Sequence, residues 1–192
     1  MNSEIKDHRV RVSKMLIRKA FTELLAIKPI QSISIKELCE RAGINRGTFY
    51  AHYQDIYALR SEIEDELYTN VQNTLSPLLL PDIKVTQLEI TTEIFRLLKE
   101  KSDVCTVILG EYGDKDFLVK VLELGQVVCT ESNLKLYEKA TPVQIEWFYA
   151  FASSGCIGLL RKWLSEDMDT PAKEIAQMAE RLIASGMGFL EG

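Results

Sequence analysis

Apolar residues recur at three- and four-residue spacing along almost the whole chain, and no long alternating stretch interrupts them. That periodicity predicts an all-α fold of about nine helices. The first spans about Arg9 to Ile27, with Ile17, Ala20, Phe21 and Leu24 on its inner face. Arg11, Lys14 and Arg18 line up on its outer face, where they either meet a nucleic-acid backbone or stay solvated. Lys28-Pro29 ends it, because the residue before a proline is driven out of the helical region. A fourth helix starts after Asp55 and runs towards Ser76-Pro77, and residues 78–85 read as a loop between Pro77 and Pro81. Helices are expected from Thr86 to Lys101, Val104 to Leu109 and Phe117 to Leu136, with a glycine- and acid-rich loop over 110–116. Thr141-Pro142 and Thr170-Pro171 each place a capping hydroxyl before a proline, and open the last two helices over about 142–165 and 171–190.

The second and third helices are the most informative part of the chain. Ser34 is placed to cap the first of them, and Glu37, three residues on, to complete a capping box. Ile35, Leu38, Cys39 and Ala42 supply a buried face, and Gly43 stops the helix where positive φ is needed. Asn45 caps a second, short helix. Its first turn, Arg46, Gly47 and Thr48, carries polar or minimal side chains, while Phe49 and Tyr53 at i and i+4 anchor it. This is the pattern of a helix-turn-helix, whose second helix enters the DNA major groove with its N-terminal residues at base edges.

Residues 43–53 closely resemble the recognition-helix sequence of the TetR family of bacterial transcriptional regulators. The resemblance is strong from Val12 to Leu59. It continues more weakly to the C-terminus, where residues 147–163 and the helix after Thr170 look like that family's dimerisation helices. It implies a three-helix head over 1–54 and a ligand-binding and dimerisation body over 55–192. It also implies that Tyr50 and His52 contact the DNA backbone. One departure stands out: the family usually carries a phosphate-binding lysine just inside the fourth helix, and Ile56 occupies that position.

Composition changes the picture only when divided. The chain of 192 residues carries a formal net charge of −5, which is unexpected for a DNA binder. Residues 1–54 hold ten Lys/Arg against five Asp/Glu, whereas 55–192 hold thirteen against twenty-three. A basic head on an acidic body presents one end to phosphate. The longest uncharged run, Trp147 to Leu160, is too short to span a bilayer, and the N-terminus has no apolar secretory core. A soluble cytoplasmic protein is expected. Cys39, Cys105, Cys129 and Cys156 are scattered among apolar neighbours and read as reduced, buried thiols. With two histidines, no metal cluster and no glycine-rich phosphate loop, neither a metal nor a cofactor is expected, and an enzyme is disfavoured.

Base reading is assigned to Asn45, Arg46, Gly47 and Thr48, with Tyr50 at the margin, and phosphate gripping to Ser34, Lys36, Tyr50 and His52. Phe95, Cys105, Tyr112, Phe117, Trp147, Phe148 and Phe151 are candidates to line a pocket for a small apolar effector, though each also suits a simple core. The penultimate helix is apolar nearly all round and rich in small residues. Ala152, Gly155, Gly158 and Leu159 are its candidate contacts with a second copy. The expected function is a repressor that binds a palindromic operator in double-stranded DNA as a homodimer and is released by a small apolar ligand. The alternative is a co-regulator of the same fold that acts through a protein partner.

Overall fold

The computed structural model describes residues 2–79, 87–136 and 140–186. Among them are nine α-helices and no strand: α1 (Asn2–Leu25), α2 (Ile35–Ala42), α3 (Arg46–Tyr50), α4 (Ile56–Leu75), α5 (Gln87–Glu100), α6 (Ser102–Leu109), α7 (Lys115–Leu136), α8 (Pro142–Leu164) and α9 (Ala172–Gly186). The first helix begins seven residues earlier than its apolar pattern suggests. Its opening turns are polar, so periodicity carries no signal there. Most of the loop expected over 78–85, the side chain of Cys129 and the end of the last helix lie outside the described residues.

The chain separates into two compact units, Met1–Leu67 with Asp103–Lys115, and Tyr68–Ser102 with Asp116–Gly192. In the first, Ile17, Phe21, Leu24, Leu38, Phe49, Leu59, Val104 and Cys105 are almost wholly excluded from solvent. The expected inner face of α1 is therefore the buried one. Each such side chain contributes about 1.5–3 kcal/mol by leaving water. The segment 103–115 is distant in sequence, yet its α6 supplies part of this core.

In the second unit α5 and α8 both pack against α9. Trp163 is buried against Phe95, ring centroids 5.8 Å apart, and its indole N–H donates to the Thr170 carbonyl at 2.9 Å. Lys99 stands over the Trp163 ring and donates to the Met168 carbonyl at 2.6 Å. These contacts hold the turn after α8, where Asp167 and Met168 both take positive φ. Ala140, Ile145 and Phe148 form a second cluster, covered by Ala152 and Ile183. The start of α8 behaves as Thr141-Pro142 predicts. Thr141 and Gln144 form a reciprocal capping box, which satisfies donors the helix leaves open.

Candidate nucleic-acid interface

Local chemistry builds the motif in the first unit. Ser34 Oγ accepts from the Glu37 N–H at 3.2 Å and caps α2. The other half of the expected capping box is absent, because the Glu37 carboxylate turns to Lys28 Nζ at 2.6 and 2.7 Å. An ammonium held by both oxygens outbids a single backbone N–H. The hydrogen bond from Lys28, the largest influence, holds the Glu37 carboxyl below its ordinary range. Gly43 closes α2 at φ +66°, a conformation that L side chains rarely adopt, and its N–H bonds back to the Cys39 and Glu40 carbonyls. Leu38, Cys39 and Ala42 are buried as expected, while Ile35 is half-buried. Burial pushes the Cys39 thiol pKa up, partly offset by the charge of Arg46.

The short helix α3 then starts at its Asn45 cap. Asn45 Oδ1 accepts from the Thr48 N–H at 2.7 Å and from the Thr48 hydroxyl at 3.1 Å. That oxygen is committed to the helix, so only the Asn45 amide nitrogen stays available to a partner. The same geometry gives Gly47 a second reason to be glycine. A Cβ there would stand 3.2 Å from Asn45 Oδ1, tighter than ordinary contact, besides intruding on any surface the helix approaches. The Thr48 hydroxyl proton is used in the cap, which leaves its methyl for apolar contact.

The structure places Ser34, Lys36, Asn45, Arg46, Gly47 and Tyr50 at the surface, with Thr48 and His52 half-buried. Arg46 has no ion-pair partner among the described residues. Lys36 sits 3.8 Å from Glu40 in an exposed i,i+4 pair, which is weak and easily exchanged for phosphate. Behind this face, Phe49 is fully buried. Its ring meets Tyr50 edge-on at 5.6 Å and Tyr53 at 5.7 Å. The outer side chains therefore stand on an aromatic floor. Ile56 is 7% exposed and belongs to the core, so the first turn of α4 carries no cation at that position.

Two members of the basic stripe on α1 turn out to be engaged within the protein. Lys14 Nζ donates to Glu62 Oε2 at 2.8 Å, and Arg18 pairs with Glu66 and lies 3.8 Å from Asp103. Tyr53 donates its hydroxyl to Glu62 Oε1 at 2.8 Å. Burial pushes the Glu62 carboxyl up, but the hydrogen bonds from Lys14 and Tyr53 outweigh it together and leave the group below its usual range. Sequence reading missed this network. Glu62 is 48 residues from Lys14, and no spacing rule connects two helices that far apart.

The seven candidate pocket residues are divided between the two units. Cys105 and Tyr112 belong to the first unit; Phe95, Phe117, Trp147, Phe148 and Phe151 belong to the second. Phe95, Phe117 and Phe148 are buried, whereas Trp147 is 68% and Phe151 74% exposed. A groove of about 150 Å³ does lie between α8 and α9. Phe148, Phe151, Gly155, Cys156, Leu159 and Leu182 are among its walls. Of the four candidate dimer residues, Gly155 and Gly158 are exposed, while Ala152 and Leu159 are half-buried. Val143, Trp147 and Phe151 continue the outward face of α8 at four-residue steps, and Met178 and Leu182 are exposed on α9. Among the described residues no group of His, Cys, Asp and Glu is arranged to hold a metal, and no helix is long and apolar enough to cross a membrane.

Residues 17–63 match the family model for bacterial regulatory proteins of the tetR family, and residues 86–185 match the model for the C-terminal region of such transcriptional regulators. No curated protein matches the chain. Among solved structures it resembles a TetR transcriptional regulator from Streptococcus agalactiae, with TM-score 0.60 and 21% identity over 94% of this chain and 98% of that one. It also resembles the regulator FadR from Bacillus subtilis in complex with stearoyl-CoA, with TM-score 0.65 and 15% identity over 90% and 98%. A third neighbour is DhaS, described as the activator of a dihydroxyacetone kinase operon, with TM-score 0.58 and 17% identity over 94% and 98%. At these identities the likeness is one of fold.

Proposed function

The chain belongs to the TetR family of bacterial transcriptional regulators, and from that premise we propose that it is a repressor that binds a palindromic operator as a homodimer. The observation that carries this reading is the first turn of α3. There an arginine with no ion-pair partner among the described residues and a glycine stand exposed, beside a half-buried threonine, on a capped helix with an aromatic floor behind it. In a major groove such a turn has the chemistry of base readout. The arginine is suited to guanine, and the threonine methyl to thymine. Around it Ser34, Lys36, Tyr50 and His52 supply donors for phosphate. Ser34 keeps its hydroxyl proton for this, since its oxygen serves α2 only as an acceptor.

The second copy would be met on the outward face of α8 and the groove beside α9. Val143, Trp147 and Phe151 present apolar surface there that one protomer leaves in water. A two-fold arrangement would set Phe151 of one protomer against the groove of its partner, and two reading heads against two half-sites. A small apolar effector in the body is the proposed releasing signal. The stearoyl-CoA bound to the Bacillus subtilis FadR structure is a precedent within the same fold.

One observation favours a second reading, a co-regulator that acts through a protein partner. Ile56 is buried where the family usually places a phosphate-binding lysine. One experiment separates the two. A mobility shift with the duplex upstream of the chain's own coding sequence, beside a random duplex of equal length, should show retention of the first at concentrations that leave the second free. A co-purifying protein with no preference between duplexes would favour the co-regulator instead.

A further inference from the structure

We infer that Lys14, Glu62 and Tyr53 form a positioning device that fixes the angle of α3, and with it the discrimination between operator and other DNA. The inference rests on the DNA-reading proposal above. Five residues make barely more than one turn, and a helix that short cannot maintain its own geometry. Its direction must be imposed by what holds its far end. Tyr53 stands three residues beyond α3 and is 5% exposed. Its N–H bonds to the Phe49 carbonyl at 2.9 Å, so it continues the α3 backbone directly.

Three elements converge on this one side chain. From α3, Phe49 packs on its ring at 5.7 Å. From α4, Glu62 Oε1 accepts its hydroxyl at 2.8 Å. From α1, Lys14 Nζ stands 5.5 Å over the ring and donates to the other oxygen of Glu62 at 2.8 Å. Ring packing is indifferent to small rotations, so Phe49 and Tyr53 alone would leave α3 some freedom. A phenol and an ammonium on the two oxygens of one carboxylate are directional and charge-assisted, and remove that freedom. His52, assigned to phosphate, sits ring to ring with Tyr53 at 6.3 Å, so its placement follows from the same anchor.

This role is separable from DNA contact, because the tyrosine is buried and carries no charge. A lost phosphate contact lowers the slope of binding against salt by about one ion. A lost positioning bond leaves that slope alone and reduces only the preference for the right sequence. The variant is Tyr53→Phe, which keeps the ring and removes the hydroxyl. Two readouts are needed. Amide hydrogen exchange on the free protein over 45–53 should quicken, with α5 and α9 unchanged. Fluorescence anisotropy should show about tenfold weaker binding to a duplex enriched by the wild-type chain from a random pool, the worth of one hydrogen bond to a charged group. Binding to a random duplex should change less than about twofold, with the salt slope preserved. Lys14→Met should reproduce the loss and Lys14→Arg should restore most of it, which also covers the case in which Tyr53→Phe fails to fold. Unchanged exchange together with an unchanged operator-to-random ratio would overturn the inference. So would an equal loss on both duplexes with a lower salt slope for Lys14→Met, which would make Lys14 a phosphate contact. Quickened exchange in a protein whose wild type enriches no sequence would leave the device standing and remove the DNA-reading proposal.

Discussion

Arg46 and Asn45 are neighbours in sequence but do different work. Asn45 spends its side-chain oxygen on the Thr48 N–H and hydroxyl, whereas Arg46 has no ion-pair partner among the described residues. Arg46→Ala should therefore cost about 1–3 kcal/mol at the operator and little on random DNA. Parallel titrations of the two duplexes check this, and equal losses on both would make Arg46 a phosphate contact. Asn45→Ala should instead lower head stability by about 1 kcal/mol, as cap losses do. Tyr53 adds a pH signature. Burial, then donation to Glu62, raises its pKa well above the ordinary tyrosine value of about 10. A raised folded pKa means that the contribution is complete below pH 10, where the unfolded phenol is still protonated. It is lost as pH rises from there towards the folded value. The melting temperature of the wild type should fall between about pH 10 and 11 more steeply than that of Tyr53→Phe. Parallel curves for the two would show that the hydroxyl carries no such linkage.

At the scale of the element, α8 has a buried face and an exposed one, and the proposed dimer contact falls on the second. Ile145, Phe148, Leu160 and Trp163 are buried within the protomer, while Val143, Trp147, Phe151, Gly155 and Gly158 face outward. This distinction decides which substitution tests the dimer cleanly. Ala152 packs on the Ala140, Ile145 and Phe148 cluster, so a charge there would damage the protomer itself. A side chain at Gly158 meets nothing within 4 Å in the protomer. Gly158→Glu and Phe151→Glu should thus give folded monomers, since a two-fold contact would bury like charges against each other. Sedimentation of a folded, undiminished dimer for both variants would move the interface elsewhere.

The whole molecule joins a basic N-terminal segment to an acidic remainder, and the chain passes between its two compact units at 67/68, 102/103 and 115/116. The effector proposed for the second unit would change DNA affinity only through its differential affinity for the states it selects, typically about 1–3 kcal/mol of coupling. Reciprocity then requires operator DNA to change effector affinity by the same factor. Apolar compounds that raise the melting temperature should titrate differently with and without operator. Hits that bind equally in both conditions would exclude release by those compounds and strengthen the co-regulator reading.

The helix-turn-helix was legible in the sequence because its determinants are local. A glycine at positive φ, an asparagine cap and an i,i+4 aromatic pair each act within one turn of chain. The α8 start at Thr141-Pro142 was legible for the same reason. Competition and long-range placement were not. Glu37 has the right spacing for a capping box, but Lys28 takes its carboxylate once the loop before α2 folds back. Lys14 and Arg18 read as an outward basic stripe, yet α4 brings Glu62 and Glu66 to meet them. The tertiary structure alone decided which aromatics are core and which are surface. Phe148 and Phe151 lie three residues apart on one helix and look alike in sequence, but one is buried and the other is 74% exposed. Periodicity reports how apolar residues are spaced along a helix. Which face meets α9 and which meets solvent is set by partners that only the folded chain supplies.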